Sequence, residues 1–152
     1  MRLVVAAAFA AFSALPLSAQ TATVSTDFTY AIPLTGSWVS ASTGGEATFL
    51  NASAMPQLTI RCNRATRRVS MSKPATVAVP FLNVWTSSAA RPVPASFDPA
   101  TKRVTIQLAA ADPLLDALAF SRGRLAVYVG GSPALVLPAW PEVARVVEDC
   151  RA

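Results

Sequence analysis

No histidine occurs anywhere in the 152 residues. The commonest general base and the commonest metal ligand are therefore both missing. Neither a Ser-His-Asp nor a Cys-His nucleophile system can be built from this chain. Cysteine is scarce as well: Cys62 and Cys150 are the only two, and no Cys-x-x-Cys spacing points to redox work. Acidic residues number eight, and each has a structural explanation. Asp98 reads as a turn residue, Asp112 as a helix cap and Glu142 as a charge at a helix start, while Glu148 and Asp149 read as an exposed helix end near Arg145 and Arg151. No carboxylate pair stands out for glycoside hydrolysis. The expectation is a protein that is not an enzyme and that uses no metal and no cofactor.

Long apolar runs are missing too, except at the start. Arg2 is followed by an unbroken apolar stretch from Leu3, a proline at Pro16 and a small residue at Ala19, the layout of a secretory signal peptide. The stretch is shorter than the roughly 20 residues that a bilayer span requires. The expected organisation is a signal peptide over 1–19 and a single β-rich domain over 20–152, in which polar 20–28 forms a flexible lead-in. Prolines, glycines and arginines interrupt every later hydrophobic run, so no transmembrane anchor is expected. Cleavage leaves 133 residues, enough for one ordinary core, and lowers the net charge from +5 to +4. The expected location is the periplasm or the exterior.

In an oxidising compartment two cysteines read first as one disulfide. The alternation in "QLTIRC" puts Leu58, Ile60 and Cys62 on one strand face. In "PEVARVVEDC" the residues Val143, Val146, Val147 and Cys150 share one helical face. Both cysteines then point inward, and a bridge between them would pin a C-terminal helix to a core strand, a constraint worth about 4–5 kcal/mol in the chain-entropy model. A redox pair and an intermolecular bridge are the competing readings.

Most of the remaining chain reads as short strands. "RVSMS", "RVTIQL" and "RLAVYV" alternate, and each begins with an outward arginine: Arg68, Arg103 and Arg124. "GSWVSAS" and "EATFLN" flank Gly44 and Gly45 as a first hairpin, "FLNVWTS" is a further strand, and "FDPATKR" and "GGSP" are turns. Helical signals are two. Asp112 caps "PLLDALAF" with Pro113 at its first position and Gly123 as a stop, and Pro141 opens the terminal helix. The pattern predicts a mainly β fold, an antiparallel β-sandwich or half-barrel with one short helix before the last hairpin and a C-terminal helix.

The stretch "RCNRATRRVSMSK" carries Arg61, Arg64, Arg67, Arg68 and Lys73. With Arg61 and Arg68 outward on successive strands and Arg64 and Arg67 in the turn, it forms a basic hairpin suited to carboxylate or phosphate partners. The competing reading is a solvated face that keeps a sheet edge soluble. No aromatic interleaving points to nucleic acid. Trp38, Trp85 and Trp140 are candidates for a sugar platform, though tryptophan in a small domain is more often core or boundary packing. Asn51-Ala52-Ser53 matches an N-glycosylation sequon.

With "LTIRC", "VWTSS", "FDPATKRV" and "DPLLDALAFSRGRLAVYVGGSPALVLPAWPEVARVVEDC" in view, the chain resembles uncharacterised small exported proteins of Gram-negative bacteria. An early strand cysteine, a tryptophan-serine strand and a cysteine after a final helix are also similar to VasI-type envelope accessory proteins associated with type VI secretion. That resemblance implies a β-sandwich without catalytic residues. The expected function is an exported binding or accessory module whose partner is an envelope protein. The alternative is a module that binds an acidic glycan or lipid, or an inhibitor, contacting its target through the basic hairpin.

Overall fold

A computed structural model describes residues 26–130 and 132–152. The expected signal peptide and residues 20–25 of the expected lead-in lie outside the described residues. Nine strands, β1 (Gly36–Ser40), β2 (Glu46–Asn51), β3 (Pro56–Asn63), β4 (Arg68–Pro74), β5 (Phe81–Trp85), β6 (Ala90–Asp98), β7 (Arg103–Ala109), β8 (Arg124–Tyr128) and β9 (Leu135–Pro138), accompany two helices, α1 (Pro113–Ala119) and α2 (Pro141–Arg151). The strands form one antiparallel sheet in the order β1-β2-β3-β4-β7-β6-β5-β8-β9. Of the two expected architectures, the half-barrel is the one formed. Every strand contributes to one core cluster, from Trp38 on β1 to Leu137 on β9, so the sheet curls over itself. Two bonds then bring its ends together. The Leu34 N–H donates to the Val136 carbonyl and Trp38 Nε1 donates to the Pro138 carbonyl, each at 2.8 Å.

Period-two alternation explains the inner face. Leu58 and Ile60 on β3, Val69 and Met71 on β4, and Val104, Ile106 and Leu108 on β7 are all buried, and burying each such side chain contributes about 1.5–3 kcal/mol. Helix α2 lies across β1 to β4 and against α1, burying Val143, Val146, Val147 and Cys150. Cys62 and Cys150 form a disulfide across a Cα separation of 5.3 Å, which joins α2 to β3 as the inward faces of both elements require. Asp112 caps α1 by accepting from the Leu114 N–H at 2.9 Å. The helix ends at Ala119, earlier than Gly123 as a stop would place it, and Gly123 instead supplies a positive φ of 76° in the turn into β8.

Strand β6 is the element that sequence patterning misses, because Pro92 and Pro94 argue against a strand interior. The ladder shows why both are tolerated. Ala95 donates its N–H to the Pro80 carbonyl at 3.0 Å, so alternate residues of β6 direct their N–H groups toward β5. Pro92 and Pro94 point their ring nitrogens to the opposite edge, where β7 pairs only with Ala95 to Asp98. The sheet splits at this point. Helix α1 sits at the split, held by Arg91, whose Nη2 lies 2.6 Å from both carboxylate oxygens of Asp112.

The other face of β5, β8 and β9 is covered by the segment leading into β1. Phe28, at the end of the expected flexible lead-in, is only 6% exposed. It meets Trp85 edge to face at 5.7 Å, and Arg124 Nη1 ties the segment down by donating to the Thr29 and Ala31 carbonyls.

Candidate functional site

The basic hairpin is where the sequence concentrates charge, and the fold disperses it. Arg61 forms an ion pair with Glu46 on the neighbouring strand. Arg64 lies 3.9 Å from Asp149 of α2. Arg67, at a positive φ of 50° in the turn, donates from Nη2 to the Arg151 carbonyl at 2.6 Å. That contact satisfies an open carbonyl in the last turn of α2. Arg68 remains exposed at the start of β4. Lys73 does not join them, since it shares the inward side of β4 with Val69 and Met71 and is paired across to Val104. Of the five basic residues, Arg61 and Arg68 share the outer sheet face, Arg64 and Arg67 secure α2, and Lys73 stands on the opposite face.

A different arrangement emerges on the outer face. In the strand register Thr48 is opposite Thr59, Thr59 opposite Ser72, Ser72 opposite Thr105, and Thr105 opposite Ser96. Hydroxyls thus run in one row across β2, β3, β4, β7 and β6, a length of about 19 Å at ~4.8 Å per strand. The hydroxyls of Thr48 and Thr59 bond to each other at 3.1 Å. Beside them runs a second row, Glu46, Arg61, Ser70 and Gln107.

Arg103 crosses the hydroxyl row. Its Nη2 donates to the Ser72 carbonyl at 2.8 Å and to Ser72 Oγ at 3.1 Å, and it approaches Thr59 Oγ1 at 3.4 Å. Asp98 is its partner in the strand register, yet the Asp98 carboxylate is turned into its own loop, accepting from the Ala100 N–H and the Thr101 hydroxyl. Those bonds hold the Asp98 pKa below the ordinary carboxylate value, the Thr101 hydroxyl contributing most. Among the described residues Arg103 forms no ion pair. Arg61 with its partner Glu46, Arg103 and the hydroxyls between them line a shallow depression of about 320 Å³. Its chemistry is that of a polar platform with a guanidinium fork held half-buried at its centre, suited to hydroxyl-rich and carboxylate-bearing ligands. Alternation had shown Arg103 to be outward, but its convergence with Thr59 and Ser72 depends on the strand order, which local pattern does not contain.

The other expected features are placed by the same fold. Trp38 and Trp85 are core residues, and only Trp140 is exposed enough, at 42%, to meet a ligand. The Asn51 side chain folds into its own turn, accepting from the Ser53 and Met55 N–H groups. Among the described residues no group of three or more cysteine or acidic side chains could hold a metal ion. No helix among them is long and apolar enough to cross a membrane. In comparisons with protein-family models, curated proteins and solved structures, nothing matches the chain.

Proposed function

We propose that this chain is an exported, non-enzymatic binding module that receives an acidic glycan on the outer face of β2, β3, β4, β7 and β6. The observation that carries the reading is Arg103, a half-buried guanidinium held by Ser72 and Thr59 without a carboxylate partner among the described residues. The flanking hydroxyl row matches the hydroxyls of a sugar chain, and Arg103, whose Nε and Nη2 are engaged by Ser72 and Thr59, offers Nη1 to its acid groups. Arg68 adds exposed positive charge on the same face. The Arg61–Glu46 pair is solvent-exposed on its arginine side, and such pairs contribute at most about 1 kcal/mol, so Arg61 is available to exchange partners. The disulfide suits an oxidising compartment, and an envelope accessory role of the kind the VasI resemblance implies is compatible with a polymer-binding face.

Titration with alginate as the acidic polysaccharide and dextran as the neutral one tests this. The expected result is alginate binding that weakens steeply with salt, falls at least tenfold in Arg103→Gln, and persists in Arg64→Glu/Arg67→Glu. Binding lost only in the hairpin variant would return the contact to the hairpin, and no alginate binding by the wild type would remove the glycan reading.

A further inference from the structure

We infer that the rim of the half-barrel beside Lys73 is a binding site for a compact apolar carboxylate, separate from the outer sheet face. Strand β4 alternates, so Val69, Met71 and Lys73 follow one another along its inner side, and the first two are fully buried. Lys73 is the next residue in that row, where the core reaches the barrel mouth. A lysine there lays its stem along apolar side chains and carries its ammonium at the rim. Its Nζ donates to the Pro74 carbonyl at 3.2 Å. Among the described residues it forms no ion pair with a carboxylate, although an ammonium offers three donors. Burial lowers its pKa, as expected for a cation drawn from water without a counter-charge.

A depression of about 210 Å³ adjoins Lys73, walled mainly by Val77, Val79, Leu82, Val104 and Val129, with Thr76 and Ser132 also in its lining. Another of about 230 Å³, sharing Lys73 and Pro133 with the first, extends toward Gln57 and Leu135. Both are below the roughly 300–1,000 Å³ of sites for drug-sized ligands, so the occupant is small. Apolar side chains predominate in the first lining, which disfavours a sugar, and one ammonium supplies a single positive charge, which matches a monoanion. A short fatty acid or an aromatic acid has the required shape: an apolar body against the valines and a carboxylate on Nζ.

Methyl-resolved NMR of the folded protein, titrated with benzoate and separately with benzyl alcohol, tests the assignment in the wild type, Lys73→Met and Arg103→Gln. Benzoate should shift the methyls of Val79, Leu82, Val104 and Val129 in a saturable manner. Lys73→Met, which keeps the apolar stem, should weaken benzoate at least tenfold and leave benzyl alcohol unchanged. Arg103→Gln should bind benzoate as the wild type does, whatever its effect on glycan binding. Absence of shifts up to the solubility limit of benzoate, full binding by Lys73→Met, or shifts confined to the outer face around Arg103 would each overturn the inference.

Discussion

Asp149 Oδ2 accepts a hydrogen bond from the backbone N–H of Gly45 at 2.7 Å, so the residue before Cys150 fastens α2 to the turn between β1 and β2. Gly44 and Gly45 adopt φ values of 71° and 70° there, and a side chain on Gly44 would come within 3.0 Å of the same carboxylate oxygen. Hydrogen bonds to charged groups contribute about 1.5–3 kcal/mol, and the Asp149 side chain is 39% exposed, which lowers that figure. Asp149→Ala should therefore cost about 1–2 kcal/mol, and Asp149→Asn, which keeps an acceptor, should cost less. Urea midpoints of the two variants check the order. Equal midpoints would mean that the Gly45 bond contributes nothing.

The disulfide acts at the next residue and on a larger scale. Cys62 and Cys150 are separated by 88 positions, and losing a native bridge of this kind costs about 2–5 kcal/mol. Polar contacts fasten the same helix independently of the sulfurs: Arg67 reaches the Arg151 carbonyl, and Arg151 reaches Asp116 and the Ala110 carbonyl. The Cys62→Ala/Cys150→Ala variant should keep its sheet yet lose amide protection in α2 first, as read by hydrogen exchange with and without the bridge. Unchanged protection of residues 143–150 would show that the polar contacts alone hold the helix.

Local periodicity carried much of this architecture because β2, β3, β4 and β7 obey one rule of alternation. Leu58, Ile60 and Cys62 alternate inward, and Val143, Val146, Val147 and Cys150 form one helical stripe, so the bridge between them followed from two short patterns. The same rule contained the position of Lys73, two residues beyond Met71. Grouping it with the arginines by nearness in sequence obscured its opposite face. Strand β6 and the Arg103 platform were different cases. Pro92 and Pro94 fit a strand only because β7 departs from that edge, and Thr59, Ser72 and Arg103 meet only because β4 pairs with β7 across the intervening β5 and β6 of the chain. Non-local pairing decides both.

Acid should weaken the fold through carboxylates that the native state holds ionised. Asp116 is lowered below 3.8 by its hydrogen bond from Arg151, Asp98 by Thr101 and Ala100, and Asp27 by Thr29. A depressed folded pKa gives stability that is present above the unfolded value and is lost as pH falls through the folded one. Thermal midpoints should therefore be level down to about pH 5 and then decline below about pH 4. An Asp98→Asn/Asp116→Asn variant should start lower and decline less, so that the two curves converge in acid. Curves that stay parallel across the range would assign the acid sensitivity to other groups.

The split beside β6 gives the last test. An open strand edge is a template for a second chain, and proline on an edge blocks pairing by removing the donor. Pro92 and Pro94 are the residues whose nitrogens face the gap left by β7, and both are exposed. Replacing both with threonine restores two N–H donors on that edge while leaving the pairing of β6 with β5 intact. Loss of two prolines also frees the unfolded chain, at about 0.4–1 kcal/mol for each, so a modest fall in stability is expected whatever the edge does. The distinguishing readout is mass by light scattering across a concentration series. The double variant should associate progressively while the wild type remains at constant mass, and a Pro133→Thr control in the β8–β9 turn should behave as the wild type. If the double variant keeps the wild-type mass, then α1 and the Arg91–Asp112 pair already cover the edge, and the two prolines act only on the unfolded chain.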